Sequence, residues 1–293
     1  RQRQMCIRDR GTPDKPIVMT SEKEEPGAWG GIHICGKAHT NAEGGKGSSE
    51  IGGAVYGGND DADNSGTLQY IRLEYTGFAF DEEHEANGIS FYGVGNGTIV
   101  DHCEAYKGSD DGFEFFGGSV NVSNMVVVSC SDDSFDWTEG WNGKGTDLVA
   151  YQEAKATLGY DCDCLIEADN NENDNAATPV SHPVLKNLIL AGNGESKQGI
   201  RLRRGTQADI DNAKVCGKGQ PLAIESTLTN SALKNGTSLL ANMTISAELT
   251  TDGDYTNADF IAATGNKVDA ALSYASFDAI KAECDWMNGN WVK

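Results

Sequence analysis

The sequence has few positive charges, few prolines and no long apolar run. Its 23 Lys and Arg residues are outnumbered by 44 Asp and Glu residues, which gives a formal net charge of −21. Such a charge argues against nucleic acid or an anionic membrane surface as a partner. Because no apolar stretch approaches the length that crosses a bilayer, we expect no membrane span. With 6 prolines and 36 glycines in 293 residues, the composition favours tight turns between strands.

The chain also lacks familiar catalytic motifs. It contains no GxSxG nucleophile turn, no HExxH zinc motif, no P-loop and no Rossmann fingerprint. Its five histidines show no ligand spacing: His33, His39, His84, His102 and His182. Cys162 and Cys164 form the only close cysteine pair, and their spacing fits neither a zinc knuckle nor a redox motif. Each of the two either bridges to another segment or remains a small buried thiol.

The strongest positive signal is a 22-residue repeat near the middle of the chain. Residues 97–118 (GTIVDHCEAYKGSDDGFEFFGG) and 119–140 (SVNVSNMVVVSCSDDSFDWTEG) align without a gap, so that their Asp-Asp pairs coincide. A fixed period of this length indicates stacked supersecondary units. The unit is too short for two helices and is rich in Gly, Asp and β-branched residues. It predicts an all-β fold, a right-handed parallel β-helix, because a β-sandwich would not repeat its turn residues at a fixed offset.

Six short segments share one alternation of apolar and polar residues, as strands stacked in one sheet would. The segments are NGISFYG (87–93), DGFEFFG (111–117), DSFDWTE (133–139), LIEADN (165–170), GIRLRRG (199–205) and PLAIES (221–226). Their predicted inward residues form two columns: Ile89, Phe113, Phe135, Ile166, Ile200 and Leu222, and then Phe91, Phe115, Trp137, Ala168, Leu202 and Ile224. The outward residues between them are Ser90, Glu114, Asp136, Glu167, Arg201 and Ala223. A second frame, in residues 66–77 and 97–108, starts with Gly-Thr, ends with Tyr-x-Gly and predicts another sheet.

The two ends of the chain differ from the repeat. Residues 1–10 are basic, lack core periodicity and resemble a translated sequencing-adapter remnant, so we set them aside as non-native. We predict the β-helix over residues 11–250 and a small cap with a helix over residues 251–293. Solenoids need their open ends covered, and such a cap would lie on the last coil. Its helix would begin after the N-cap Ser276 and have one apolar face: Phe277, Ile280, Cys284 and Met287.

The outward column contains the first candidate site. Glu114, Asp136 and Glu167 would project from successive strands about 5 Å apart, and like charges at that distance repel unless a cation or an arginine compensates them. Arg201 follows on the next coil. We take these four residues as the candidate catalytic residues of a polysaccharide lyase or glycoside hydrolase. Their layout resembles that of pectate-lyase-like enzymes, in which calcium bridges an acidic sugar and an arginine acts as the base.

Aspartates at the predicted turns are candidate calcium ligands, because calcium takes six to eight oxygen ligands. One set adjoins the outward column: Asp110, Asp111, Asp132, Asp133 and Asp169. A second set lies in the loop GGNDDADNSG: Asp60, Asp61 and Asp63. That loop lacks the Gly and Glu that an EF-hand requires. The alternative for both sets is structural, since Asp forms Asx-turns that bond backbone N–H groups.

Two outward aromatic residues are candidate ligand-binding residues. Tyr92 and Phe116 share a column beside Glu114, and exposed aromatic faces offer a platform for sugar rings. We take Arg203 as the third ligand-binding candidate. The alternative is that the two rings are covered by the long loop at 141–163.

Five stretches resemble a family of bacterial surface proteins. They are PGAWGGIHICG (26–36), YGGNDDADNSGTLQYIRLEYTG (56–77), NGISFYGVGNGT (87–98), SDDGFEFFGGSVNV (109–122) and CLIEADNNE (164–172). The family consists of right-handed parallel β-helix proteins of marine Bacteroidetes and gammaproteobacteria, often outer-membrane lipoproteins, and many carry the label multidrug transporter. The resemblance implies the β-helix fold and an extracytoplasmic location, and it implies no particular reaction.

Together these patterns predict a secreted or cell-surface β-helix protein, monomeric, that binds a polysaccharide or surface glycan with calcium on its outward sheet. One alternative is an enzyme that cleaves a polysaccharide at the same face. Another is a passive structural or adhesive protein. An open groove over the acidic column would favour the binder or the enzyme, and a face covered by the loop at 141–163 would favour the passive protein.

Overall fold

Short β-strands dominate the part of the chain that the computed structural model describes, residues 10–80 and 84–293. In chain order the strands of these residues are β1 (Ile17–Met19), β2 (Ile32–Cys35), β3 (Gly47–Ser48), β4 (Val55–Tyr56), β5 (Thr67–Glu74), β6 (Ile89–Tyr92), β7 (Ile99–Tyr106), β8 (Phe113–Phe116), β9 (Asn121–Val128), β10 (Phe135–Thr138), β11 (Lys144–Tyr151), β12 (Ile166–Ala168), β13 (Val184–Ala191), β14 (Gln198–Leu202), β15 (Asp209–Cys216), β16 (Gln220–Ile224), β17 (Leu239–Ile245), β18 (Thr250–Thr251) and β19 (Lys267–Val268). The α-helices are α1 (Lys155–Leu158), α2 (Thr227–Asn235), α3 (Asn257–Ala262) and α4 (Phe277–Lys281). The segment 1–10 that we set aside lies, apart from Arg10, outside the described residues.

The strands form two large sheets around one core. One sheet has eight strands in the order β18-β16-β14-β12-β10-β8-β6-β2, and the other has nine in the order β1-β5-β7-β9-β11-β13-β15-β17-β19. Every neighbouring pair in the two sheets is parallel. From β5 onward the chain alternates between the sheets, so each coil contributes one strand to each. The fold is a right-handed parallel β-helix, which confirms the prediction.

The two predicted inward columns form the core behind the eight-stranded sheet. Phe113 pairs with Phe135, and their ring centroids lie 5.8 Å apart in a stacked arrangement. Phe91 stacks on Phe115 at 5.0 Å. All twelve residues of the two columns are buried. The alternation in the sequence therefore predicted both the register and the core of this sheet.

The long strands of the nine-stranded sheet each bend at one residue with a positive φ angle. The column of bends is Tyr70, His102, Asn124, Asp147, Asn187, Asn212 and Asn242. Asn and Asp adopt this conformation more readily than other residues with a side chain. The amides also bond along the column, because Asn187 Nδ2 donates to Asp147 at 3.0 Å and Asn212 Nδ2 donates to Asn187 at 2.9 Å. At each bend two consecutive side chains point away from the core, and the strand changes direction there.

The C-terminal residues 251–293 pack against two different parts of the β-helix. Helix α3 follows the last coil and buries Phe260 in the main core. The segment from α4 onward instead runs along the outer face of the nine-stranded sheet, where Ile280 and Trp291 pack against valines of β9 and β11. Ser276 caps α4 as predicted, and its Oγ accepts the N–H of Ala279 at 3.3 Å. We expected all of this region on the last coil, whereas its second half lies along the side of the solenoid.

The seven cysteines after position 10 are free thiols in the described chain. Cys162 and Cys164 are both buried, so the bridges left open by the sequence do not form here. Among the described residues, no helix combines the length and apolar character needed to cross a membrane.

Candidate functional site

The outward column of the eight-stranded sheet brings charged residues together in register. In strand order they are Glu114, Asp136, Glu167 and Arg201. Neighbouring strands of a sheet lie about 4.8 Å apart, so each side chain starts one strand spacing from the next. The predicted placement of this column is confirmed.

Asp-Asp pairs precede β8 and β10 and bond one coil to the next. Asp111 Oδ1 accepts the N–H of Asp133 at 2.9 Å, and Asp133 Oδ1 accepts the N–H of Cys164 at 2.5 Å. Each of the two carboxylates therefore supports a turn through one oxygen. Because a carboxylate has a second oxygen with its own lone pairs, this structural role is compatible with a role as a ligand.

Carboxylates line almost all of a pocket above the outward column. The pocket has a volume of about 320 Å³, and ten of its eleven lining residues are acidic. These ten are Glu50, Glu85, Asp110, Asp111, Glu114, Asp132, Asp133, Asp136, Asp163 and Glu167. A second lobe of about 270 Å³ shares Glu50, Glu114 and Asp136 with the first and extends to Arg203 and Arg204. The face above the acidic column thus holds an open pocket that is lined almost entirely by carboxyl groups.

Four groups of three side chains in this pocket are close enough to share a metal ion. In each group, one ligand atom of every residue lies within 4.8 Å of the others. The groups are Asp110, Asp111 and Asp132; Asp111, Glu114 and Asp136; Asp133, Asp136 and Glu167; and Asp133, Asp163 and Cys164. Because Asp111, Asp133 and Asp136 each belong to two groups, the four groups form one continuous row, which we call the acidic row.

Burial and mutual repulsion favour the protonated form of these carboxyls. Burial, followed by the charge of Asp132, raises the pKa of Asp110 to about 7. Burial and neighbouring carboxylates raise the pKa well above its ordinary range in four others: Asp111, Glu114, Asp133 and Asp136. In addition, Asp136 Oδ1 is buried and has no hydrogen-bond partner within the described chain. A bound cation would favour the ionised form of all these groups, and its binding would release protons.

Arg201 is held by two carboxylates and does not have the properties of a base. Its Nη1 donates to Glu167 at 3.1 Å, and its Nε and Nη2 donate to Glu225 at 3.0 and 3.1 Å. Burial opposes the charged form, but the hydrogen bonds and the two negative charges outweigh it and raise the pKa of Arg201. A proton acceptor would need the opposite shift. These contacts give no support to a role of Arg201 as a base, and its predicted catalytic role stays a prediction; in the structure this residue neutralises one end of the acidic column.

Two further arginines neutralise Asp169. Arg203 Nε donates to Asp169 at 2.7 Å, and Arg203 also bonds Glu167. Arg204 Nη1 donates to the second oxygen of Asp169 at 2.9 Å. Asp169 belongs to none of the four groups of the acidic row. Asp169 is thus an ion-pair partner of two arginines, and its role as a metal ligand stays a prediction.

In the loop that carries Asp60, Asp61 and Asp63, two of the aspartates form hydrogen bonds with other side chains of the protein. Asp61 Oδ1 lies 2.7 Å from His39 Nδ1, and Asp63 accepts a hydrogen bond from Ser65 Oγ at 3.0 Å. None of the three aspartates belongs to the acidic row. The geometry therefore does not favour this loop as a calcium site, and the assignment of Asp60, Asp61 and Asp63 as calcium ligands stays a prediction.

The predicted aromatic platform is covered. Tyr92 is 0 % exposed and Phe116 is 9 % exposed. Their rings stack at 4.4 Å, and the ring of Tyr56 lies 5.1 Å from that of Tyr92. Tyr56 belongs to the antiparallel hairpin β3–β4, so this hairpin packs against the rings. The two rings are therefore not exposed as a platform in this structure, and their role in binding sugar stays a prediction.

Four residues of the pocket were not identified from the sequence: Glu50, Glu85, Asn87 and Asp163. The alignment of coils contained a signal for two of them. Asn87 occupies the position of Asp111, two residues before an inward aromatic or aliphatic residue, and Asp163 occupies the position of Asp132. Glu50 and Glu85 come from segments outside the repeat, where no spacing indicated them.

The chain belongs to the family described as "Pectate-lyase like beta helix domain", whose model matches residues 2–293. The match begins inside the segment 1–10 that we set aside. No curated protein and no solved structure was found to match the chain. The family points to a polysaccharide-related protein, while the narrower resemblance to bacterial surface lipoproteins stays a prediction.

Proposed function

We propose that this protein is a secreted or cell-surface β-helix protein that binds a glycan through calcium ions held in the acidic row. The observation that carries the proposal is the row itself, four overlapping groups of ligand atoms on an open face of the sheet. Membership of the pectate-lyase-like family supports polysaccharide as the class of ligand.

The distribution of charge explains why a cation is needed. Lys197 bonds Asp163 at 2.8 Å. Arg201 and Arg203 both bond Glu167. These positive side chains lie at one end of the pocket, and the carboxylates of the earlier coils are surrounded chiefly by one another. An anionic sugar could not approach those carboxylates unless cations lay between them.

Calcium fits the donor set of the acidic row. It takes six to eight oxygen ligands in a flexible geometry. Three of the four groups offer carboxylate oxygens alone, and the fourth adds the Sγ of Cys164. Three carboxylate residues do not fill the coordination sphere of the ion, so oxygens of a sugar can complete it. This arrangement would join the glycan to the protein without direct contact between like charges.

The second lobe offers a different kind of contact. Arg204 donates to Asp169 at 2.9 Å and to Glu172 at 3.3 Å, and its side chain is more exposed than those of Arg201 and Arg203. A guanidinium binds carboxylates in a two-point geometry. We therefore expect an acidic sugar to extend from the acidic row toward Arg204.

Cleavage of the glycan is the second candidate function. It is favoured by the raised pKa values of Glu114 and Asp136, because a carboxyl that keeps its proton near neutral pH can act as a general acid. A hydrolase would use this pair in the predicted catalytic column. A lyase would need a base other than Arg201.

The test combines calcium, a polysaccharide array and two matched double variants. Thermal unfolding is measured in millimolar calcium and in EDTA, since a ligand that binds the native state stabilises it by mass action. Glu114→Gln/Asp136→Asn removes two charges from the acidic row. Asp60→Asn/Asp63→Asn removes two charges from the loop that carries Asp60, Asp61 and Asp63. It serves as the control because these residues lie outside the acidic row.

We expect calcium to raise the melting temperature of the wild type and the control, and to raise that of the row variant much less. Array binding should require calcium and disappear in EDTA. Release of reducing ends or of unsaturated, ultraviolet-absorbing sugar would favour the enzyme over the binder. If calcium shifts no melting temperature and the array stays empty, the passive structural protein is the better account.

A further inference from the structure

Two exposed aromatic residues lie on a loop before β6. Phe78 is 43 % exposed and Phe80 is 66 % exposed. They are the aromatic members of the set of large hydrophobic residues that the described chain exposes. A phenylalanine has no polar group that could bond water, so exposing most of a ring gives up a stabilising burial of apolar area. An exposed pair on one loop therefore suggests a ligand that covers it.

The two rings are held in a defined arrangement. Their centroids lie 5.0 Å apart, and their planes meet edge to face at 86°. The backbone fixes both residues, because the N–H of Phe78 donates to the carbonyl of Trp29 at 3.2 Å and the N–H of Phe80 donates to that of His84 at 2.9 Å. The pair is thus presented by an anchored loop.

Hydrogen bonds link this loop to residues next to the acidic pocket. Gly77, directly before Phe78, accepts a hydrogen bond from Ser109 Oγ at 2.5 Å, and Ser109 is followed by Asp110 of the pocket. In addition, the N–H of Phe80 donates to the carbonyl of His84, and the next residue, Glu85, lines the pocket. Phe78 thus follows a residue that is bonded to Ser109, and Phe80 is bonded to His84, so both phenylalanines are linked to neighbours of the acidic pocket.

We propose that Phe78 and Phe80 form a stacking subsite for a pyranose ring of the polysaccharide whose charged groups bind at the acidic row. This inference rests on the proposed function and adds a contact that the acidic row cannot supply. A pyranose ring has an apolar face of C–H groups that packs on an aromatic ring, while its edge carries hydroxyl and carboxylate groups for polar contacts. Two rings are too small for a stable protein interface, which buries on the order of 1,000 Å² or more.

The test measures the affinity for polygalacturonate in calcium, with alginate as a second uronate polymer, by affinity electrophoresis. Phe78→Ala/Phe80→Ala should weaken binding roughly tenfold, as truncation of aromatic anchors in a binding site does. Phe80→Trp should retain the affinity of the wild type. The control is Leu239→Ala/Ile261→Ala, which removes exposed apolar side chains elsewhere and should leave the affinity unchanged.

Calcium-dependent thermal stability separates the two proposals. The Phe variant should keep the full calcium shift of the wild type, because its rings are not ligands of the ion. If the wild type binds either polymer and the double alanine variant binds it equally well, the stacking subsite is refuted and the proposed function stands. If the wild type shows the calcium shift but binds neither polymer, the glycan part of the proposed function fails, and the subsite fails with it.

Discussion

Replacing Asp110 by asparagine should have opposite effects on the metal-free and the calcium-bound protein. Burial and the charge of Asp132 raise the pKa of Asp110 from its ordinary 3.8 to about 7. A carboxyl whose pKa is higher in the folded than in the unfolded state destabilises the fold as it ionises. The metal-free protein should therefore lose stability as the pH rises from about 4 to about 7, and Asp110→Asn should remove this loss.

The size of the effect follows from the two pKa values. One pKa unit corresponds to about 1.4 kcal/mol, so ionised Asp110 costs the metal-free fold about 4 kcal/mol at pH 8 and about 2 kcal/mol at pH 5. In EDTA at pH 8, Asp110→Asn should raise the free energy of unfolding by up to about 4 kcal/mol. In calcium it should lower it, because a ligand of the ion is lost.

Urea denaturation at pH 5 and pH 8, each with calcium and with EDTA, measures these four values. Asp60→Asn is the matched control, since Asp60 is exposed and outside the acidic row, and its effects should stay within about 0.5 kcal/mol. A metal-free Asp110→Asn protein that is less stable than the wild type at pH 8 would contradict the reasoning. It would mean that the hydrogen bonds of the carboxylate outweigh the repulsion within the pocket.

Two predictions concern the rest of the solenoid. Phe135→Ala should lower the free energy of unfolding by about 3–5 kcal/mol in urea denaturation, because Phe135 is buried and stacks on Phe113; a change below about 1 kcal/mol would argue against the predicted column as the core. Glu104 lies beneath the C-terminal segment and accepts the N–H of Lys293 at 2.9 Å, and burial raises its pKa to about 8. Stability measured in calcium should therefore still fall as the pH rises toward 8, and Glu104→Gln should flatten that profile, whereas an unchanged profile would locate the titration elsewhere.

The sequence predicted the parts of the fold that repeat from coil to coil. Apolar and polar residues alternate with the period of a strand, and coils of equal length keep their side chains in columns. For this reason the sequence places Phe113 and Phe135, and likewise Glu114, Asp136 and Glu167, in the register that the structure shows. The Asp-Asp pairs belong to the same repeat, so the part of the acidic row that they form follows from the alignment as well.

What could not be predicted depends on insertions between the coils. The hairpin β3–β4 covers Tyr92 and delivers Glu50 to the pocket, and no repeat relates it to the sheet beneath it. The length of each coil also determines which residues of neighbouring strands pair. Residues 66–77 and 97–108 share their end residues, which predicted a common sheet but not its register, and the structure pairs Glu74 with Tyr106. Differences of one residue in register arise in the turns between strands, and the alternation of apolar and polar residues within strands does not predict them.

The acidic row ends where arginine replaces a carboxylate in the outward column. At Glu167 the column already has positive partners in Arg201 and Arg203, so from this coil onward the sheet balances its own charge. In the two preceding coils the same stacking that puts Phe113 over Phe135 also puts Glu114 beside Asp136. A parallel β-helix cannot separate the two carboxylates without also separating the two phenylalanines, because both contacts follow from the same strand register. The burial of the aromatic column therefore keeps the carboxyl groups together, and their repulsion is relieved by protonation or would be relieved by a bound cation.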